Sequence, residues 1–189
     1  MTRNQWHSCQ PVDLHRLARE WFLGARRIEL QKLAVELGIS RATAYRWAGS
    51  AEQLVGDVLA SLVDDTFRYL CQQTQTRGRQ RVLDVMRRGM RYAHNFKPLQ
   101  EFLDRNPQLG LRIVASKHGP VQARTMANIA ELLTEERDAG HLSLSVDPKI
   151  MAFALTRIAE SFLYADQITD TTLDLDNATQ IMGLMLQGN

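Results

Sequence analysis

Two cysteines, Cys9 and Cys71, are too few among 189 residues for a disulfide framework, and both are expected as free thiols. No apolar run approaches the roughly 20 residues that a membrane-spanning helix needs. The opening residues, Met1–His7, also have no apolar signal-peptide core. A soluble, cytosolic chain with no membrane partner is therefore expected, and the Asn177-Ala-Thr179 glycosylation match is read as chance. Phosphate-cradling glycine loops, His-Glu-x-x-His and Gly-x-Ser-x-Gly are missing, so the expectation is no enzyme and no cofactor. His7, Cys9 and His15 match no common zinc spacing, and His94, His118 and His141 stand apart. Asp64-Asp65 and Glu135-Glu136 are neighbours that diverge around a helix, and they read as solvated acids. Strand-like alternation is nearly missing. Leu142-Ser-Leu-Ser-Val146 alternates, but one strand has no partner, so the segment reads as an extended link.

What the chain does have is helical spacing: Leu30, Leu33, Ala34 and Leu37, then Leu54, Val58 and Leu62, and later Ile129, Leu132 and Leu133. Start signals fall where these periods begin. Ser50-Ala-Glu-Gln53 reads as a capping box, and Asp147-Pro148 as a cap followed by a first-turn proline. The spacing predicts helices near 13–23, 29–37, 41–47, 51–72, 80–95, 98–105, 107–116, 121–139, 148–165 and 177–187, with loops at Thr74–Gln80 and Lys117–Pro120. The fold class is all-α.

Net charge divides the chain. Residues 1–50 hold eight Lys/Arg against four Asp/Glu, whereas residues 51–189 hold fifteen against seventeen. Such asymmetry fits a first segment that approaches a polyanion, though an ordinary solvated face has the same balance.

The informative stretch is Leu30–Trp47. Two helices cross closely when a small residue sits at their contact and the turn between them tolerates a left-handed backbone, and Ala34 and Gly38 supply these. Leu30, Leu33, Leu37, Ile39, Ala44 and Trp47 fall at core positions. Arg41, Ala42, Thr43, Tyr45 and Arg46 are left on or beside the outer face, with Ser40 as the cap. This is a helix-turn-helix pattern, and a short second helix of this kind suits the major groove. A plain helical hairpin with a glycine stop is the alternative reading.

The run Gly38-Ile-Ser-Arg-Ala-Thr-Ala-Tyr-Arg-Trp-Ala-Gly-Ser-Ala-Glu-Gln-Leu54 resembles the end of a TetR-family DNA-binding domain, and the motif likeness covers about residues 13–55. The resemblance implies a homodimeric, ligand-responsive transcription regulator, usually a repressor. A DNA-binding domain would span 1–50, and a helical effector-binding and dimerisation domain 51–189. It implies Tyr45 on backbone phosphate and Thr43 and Arg41 facing the groove; Lys32, Ser40, Ala42, Arg46 and Trp47, from their places on and beside the second helix, are the other candidate DNA contacts. Two positions depart from the family pattern. The aromatic usually found three residues after the tyrosine is Ala48, with Trp47 placed to fill the space, and the lysine that usually opens the fourth helix is Ala51. Phosphate affinity then leans on Arg46, Lys32 or Arg3. Within the family the sequence is most similar to QsdR-type regulators, which implies a γ-lactone or N-acyl homoserine lactone effector and a quorum-sensing setting. Nineteen Arg against four Lys fits the GC-rich genomes where such regulators occur.

In the second half Phe67, Met86, Met90, Phe96, Phe102, Met126, Phe153 and Tyr164 fall on expected inner faces and are candidate effector contacts, although Met and aromatics at helical spacing are ordinarily core. Arg157 and Glu160 interrupt an apolar helix at i, i+3. They read as an ion pair at a subunit interface, a solvated stripe, or a polar anchor for a carbonyl-bearing ligand. The resemblance implies that the last two long helices form the dimer interface, and the spacing of Ile181, Leu184 and Met185 is compatible with that. The long helix beginning after Ser50 joins the two parts, and is expected to be the lever between effector and DNA.

Overall fold

In a computed structural model, residues 9–116, 119–165 and 174–187 are described. The helices are α1 (Pro11–Leu23), α2 (Leu30–Glu36), α3 (Arg41–Ala48), α4 (Ala51–Gln73), α5 (Gly78–Asn95), α6 (Lys97–Arg105), α7 (Pro107–Ala115), α8 (Pro120–Asp138), α9 (Pro148–Leu163) and α10 (Leu175–Met185). There is no strand among the described residues. Both ends of each helix fall within two residues of the bounds drawn from spacing.

Proline does much of this delimiting. All five prolines sit in the first turn of a helix, at Pro11, Pro98, Pro107, Pro120 and Pro148, where a missing N–H costs nothing. Side-chain caps also mark starts. Ser50 Oγ accepts from the Gln53 N–H at 3.0 Å, and Asp147 Oδ1 from the Lys149 N–H at 2.8 Å. The expected loop at Thr74–Gln80 is shorter than its composition implies, because α5 already begins at Gly78. The backbone N–H of Gly78 donates to the Glu136 carboxylate, and its φ of +59° is open to glycine. Of the loop expected at Lys117–Pro120, Lys117 and His118 lie outside the described residues, and Pro120 opens α8. Leu142–Val146 is neither helix nor strand, as an extended link should be.

The chain divides into two compact units, Met1–Leu59 and Ala60–Asn189, with the division inside α4. In the first, α2 packs against α3 and α1 contacts both. Leu14, Ala18, Trp21, Phe22, Leu30, Leu33, Ala34 and Ala44 are buried there. In the second, α8 lies along α9, and α10 contacts α5 and α9. The core of that unit runs through Leu70, Val82, Val85, Met86, Met90, Ile129, Leu132, Leu133, Met151, Leu155 and Met182. No helix among the described residues is long and apolar enough to cross a membrane.

Candidate functional site

The helix-turn-helix is built on Gly38. Its N–H donates to the Val35 carbonyl at 3.1 Å and the Ile39 N–H to the Ala34 carbonyl at 3.0 Å, a turn that requires the left-handed backbone seen at Gly38, φ +65°. Ala34 and Ala44, one on each helix, are both buried, and their small side chains let α2 and α3 approach. Ser40 caps α3, its Oγ accepting from the Thr43 N–H at 3.0 Å and lying 2.9 Å from Thr43 Oγ1.

With α3 fixed in this way, Arg41, Ala42, Tyr45 and Arg46 are exposed, and Ser40 is exposed at its start. Thr43 and Trp47 are half-buried, as are Leu37 and Ile39. Lys32 is exposed on α2, with its ammonium 2.9 Å from Glu29 Oε1. An exposed pair of this kind is screened by solvent and contributes little, so the lysine is readily released to another anion. Arg41 lies 5.4 Å from the Tyr45 ring. The Gln31 side-chain amide, with its oxygen turned toward the guanidinium, accepts from Nη1 and Nη2 of Arg41 at 3.3 Å each. Arg3 lies outside the described residues.

In the second unit the candidate effector residues are dispersed. Met86 and Met90 are buried in the core, and half-buried Phe67 packs against the same cluster. Phe96 stacks on Tyr92 at 5.6 Å, Phe102 is half-buried on α6, and Met126 lines an open groove along α8 with Ala127, Ala130 and Thr134. Phe153 is 53% exposed, with the Arg157 guanidinium 5.8 Å from its ring. Arg157 pairs with Glu160. Glu160 also accepts from Gln122 Nε2 at 3.2 Å, and the same nitrogen reaches the Ala115 carbonyl at 3.2 Å. This polar knot therefore joins α7, α8 and α9. Burial raises the Glu160 carboxyl above its usual range despite Arg157. Burial, helped by the Glu160 charge, also holds the Tyr164 phenol well above its ordinary value, so it stays a neutral donor. Ile181 and Leu184 of α10 are exposed, and Met185 packs on the core.

One reading from the sequence is overturned. Glu136 is not solvated but 2% exposed, accepting from Arg81 Nη1 and the Gly78 N–H, with His141 Nδ1 at 3.5 Å. Asp64 likewise is half-buried, accepting from Asn128 Nδ2 at 3.0 Å. The signal was present: Glu136 follows Leu132 by four residues and Leu133 by three, so it lies on the stripe that faces the core. Gln122, 3% exposed and seven residues before Ile129, belongs to the same stripe. Gln31 was also missed, since only the packing of α2 against α3 sets it beside Arg41.

A family model described as Tetracyclin repressor-like, C-terminal domain, matches residues 77–187. The chain belongs to the TetR family of transcriptional regulators. Among solved structures it is similar to the transcriptional repressor QsdR of R. erythropolis, with 29% identity, 93% of each chain covered and a TM-score of 0.88. It also resembles the repressor AlkX of Dietzia sp. at 17% identity, covering 97% and 96% of the two chains with a TM-score of 0.66. The Thermus thermophilus repressor FadR, solved with lauroyl-CoA, shares 17% identity over 94% and 93%, with a TM-score of 0.62. The last two likenesses bear on the fold alone. None of the curated proteins matches the chain.

Proposed function

We propose that the protein is a homodimeric transcriptional repressor that binds a near-palindromic operator and is released by a small apolar effector. The observation that carries this reading is the outer surface of α3, where Arg41, Ala42, Tyr45 and Arg46 stand exposed on a helix capped by Ser40. Thr43 and Arg41 read bases, while Tyr45, Arg46 and Lys32 hold phosphates and Ala42 and Trp47 flank them. A twofold dimer sets two such helices into successive major grooves of one duplex. Exposed Ile150 and Phe153 of α9, with Ile181 and Leu184 of α10, supply apolar surface for a second copy.

The effector enters the second unit, where Arg157, whose buried Nε has no hydrogen-bond partner among the described residues, and the Tyr164 hydroxyl offer donors to a carbonyl oxygen. The resemblance of the sequence to QsdR-type regulators points to a γ-lactone or N-acyl homoserine lactone. Coupling of about 1–3 kcal/mol weakens operator binding some 5- to 150-fold, enough for a switch, and α4 is the lever. Calorimetry with a panel of both lactone classes, followed by gel shift, tests the effector assignment. The expected result is heat from at least one member and a matching loss of DNA affinity. No heat and no thermal shift with any member overturns the lactone, and leaves operator binding to its own test.

A further inference from the structure

Arg41, on the α3 outer face, has its side chain held by two neighbours, Tyr45 and Gln31. Its guanidinium faces the Tyr45 ring at 5.4 Å, within the range of a cation–π contact. The Gln31 oxygen, reaching across from α2, accepts at 3.3 Å from both Nη1 and Nη2 and so occupies the tip of the guanidinium fork. An arginine has five N–H donors in a rigid plane. With the tip taken by Gln31, the side edge formed by Nε and one Nη carries two parallel donors that have no hydrogen-bond partner among the described residues. Two parallel donors from an arginine match the O6 and N7 acceptors of guanine in the major groove, and no other base offers two acceptors there.

We infer that Gln31 is a positioning residue that presents Arg41 edge-on to guanine, so that each operator half-site contains a G·C pair read by Arg41. The inference rests on the operator-binding reading above. An untethered arginine at a helix start pays rotamer entropy when it docks, and it reaches phosphate as readily as base. The tether lowers that cost and aims the fork, which makes Gln31 a specificity determinant without contacting the base itself.

Selection of duplexes from a random pool with the full-length wild-type chain, followed by affinity measurements on every single-base variant of the selected site, tests this. In the wild type, replacing one G·C pair per half-site by A·T is expected to cost about 5- to 150-fold. Arg41→Ala is expected to abolish the preference at that pair alone. Gln31→Ala is expected to shrink it about 2- to 10-fold at that same pair, with other positions unchanged. Gln31→Glu keeps an acceptor beside the guanidinium, so it is expected to retain the guanine preference while weakening binding to all duplexes through its added negative charge. If Arg41→Ala leaves every base preference intact, or Gln31→Ala weakens all duplexes equally, the inference is wrong and operator binding stands. A wild-type chain that selects no sequence overturns both.

Discussion

Single side chains on α3 divide between reading and anchoring, and the division is testable residue by residue. Thr43 keeps its backbone N–H on the Ser40 cap whatever its side chain, so Thr43→Ala is expected to alter the preference at one base pair by about 1–3 kcal/mol without unfolding the helix. Tyr45→Phe retains the ring beside Arg41 and loses only the hydroxyl. It is expected to weaken binding to all duplexes alike, with little change in salt dependence because no charge is removed. Affinity titrations on the selected site and its point variants separate the two patterns. Glu136 makes the corresponding case for stability. Burial alone raises its carboxyl, but the bonds from Arg81 and the Gly78 N–H, with the charges of Arg81 and His141, outweigh burial and leave it lowered. A carboxyl lowered in the folded state stabilises above its unfolded pKa, and that contribution is lost as pH falls through the folded value. Urea unfolding across the acid range is expected to show wild-type stability falling below about pH 4, as an unfolded Glu titrates near 4.3. Glu136→Gln is expected to cost about 3 kcal/mol at neutral pH and to flatten that acid limb.

At the level of elements, the turn between α2 and α3 isolates one physical cause. A Cβ built on Gly38 meets nothing within 4 Å, so Gly38→Ala is penalised only by the left-handed backbone, at about 1–2 kcal/mol. Asn tolerates that region, and Gly38→Asn is expected to recover part of the loss in thermal unfolding. Gly78 differs, because its Cβ would stand 2.2 Å from the His141 carbonyl oxygen and clash with backbone. Helix boundaries were legible in the sequence because their causes are local: a proline in a first turn, Ser50 three residues before Gln53, glycine where φ is positive. Contacts between elements were less so. The core stripe of α8 continues through Glu136, but a pattern sought in apolar letters stops at Leu133. The placement of Gln31 beside Arg41 needs the crossing of two helices, which no local pattern encodes. Among the candidate effector contacts, Met86 and Met90 lie in the core and Phe153 is exposed, since helical spacing marks a face without saying what covers it.

For the molecule as a whole, the charge excess of residues 1–50 over residues 51–189 and the exposed basic and aromatic face of α3 fall in the same unit, Met1–Leu59. Operator recognition depends on that unit meeting duplex bases. The most direct measurement is a fluorescence-anisotropy titration of the full-length protein against the duplex lying upstream of its own coding sequence, alongside a shuffled duplex of equal length and composition, at near-physiological salt. Binding to the upstream duplex is expected to be about 1,000-fold or more tighter than to the shuffled one, with that difference lost in Arg41→Ala/Thr43→Ala. Equal affinity for the two duplexes, following salt alone, would contradict operator recognition.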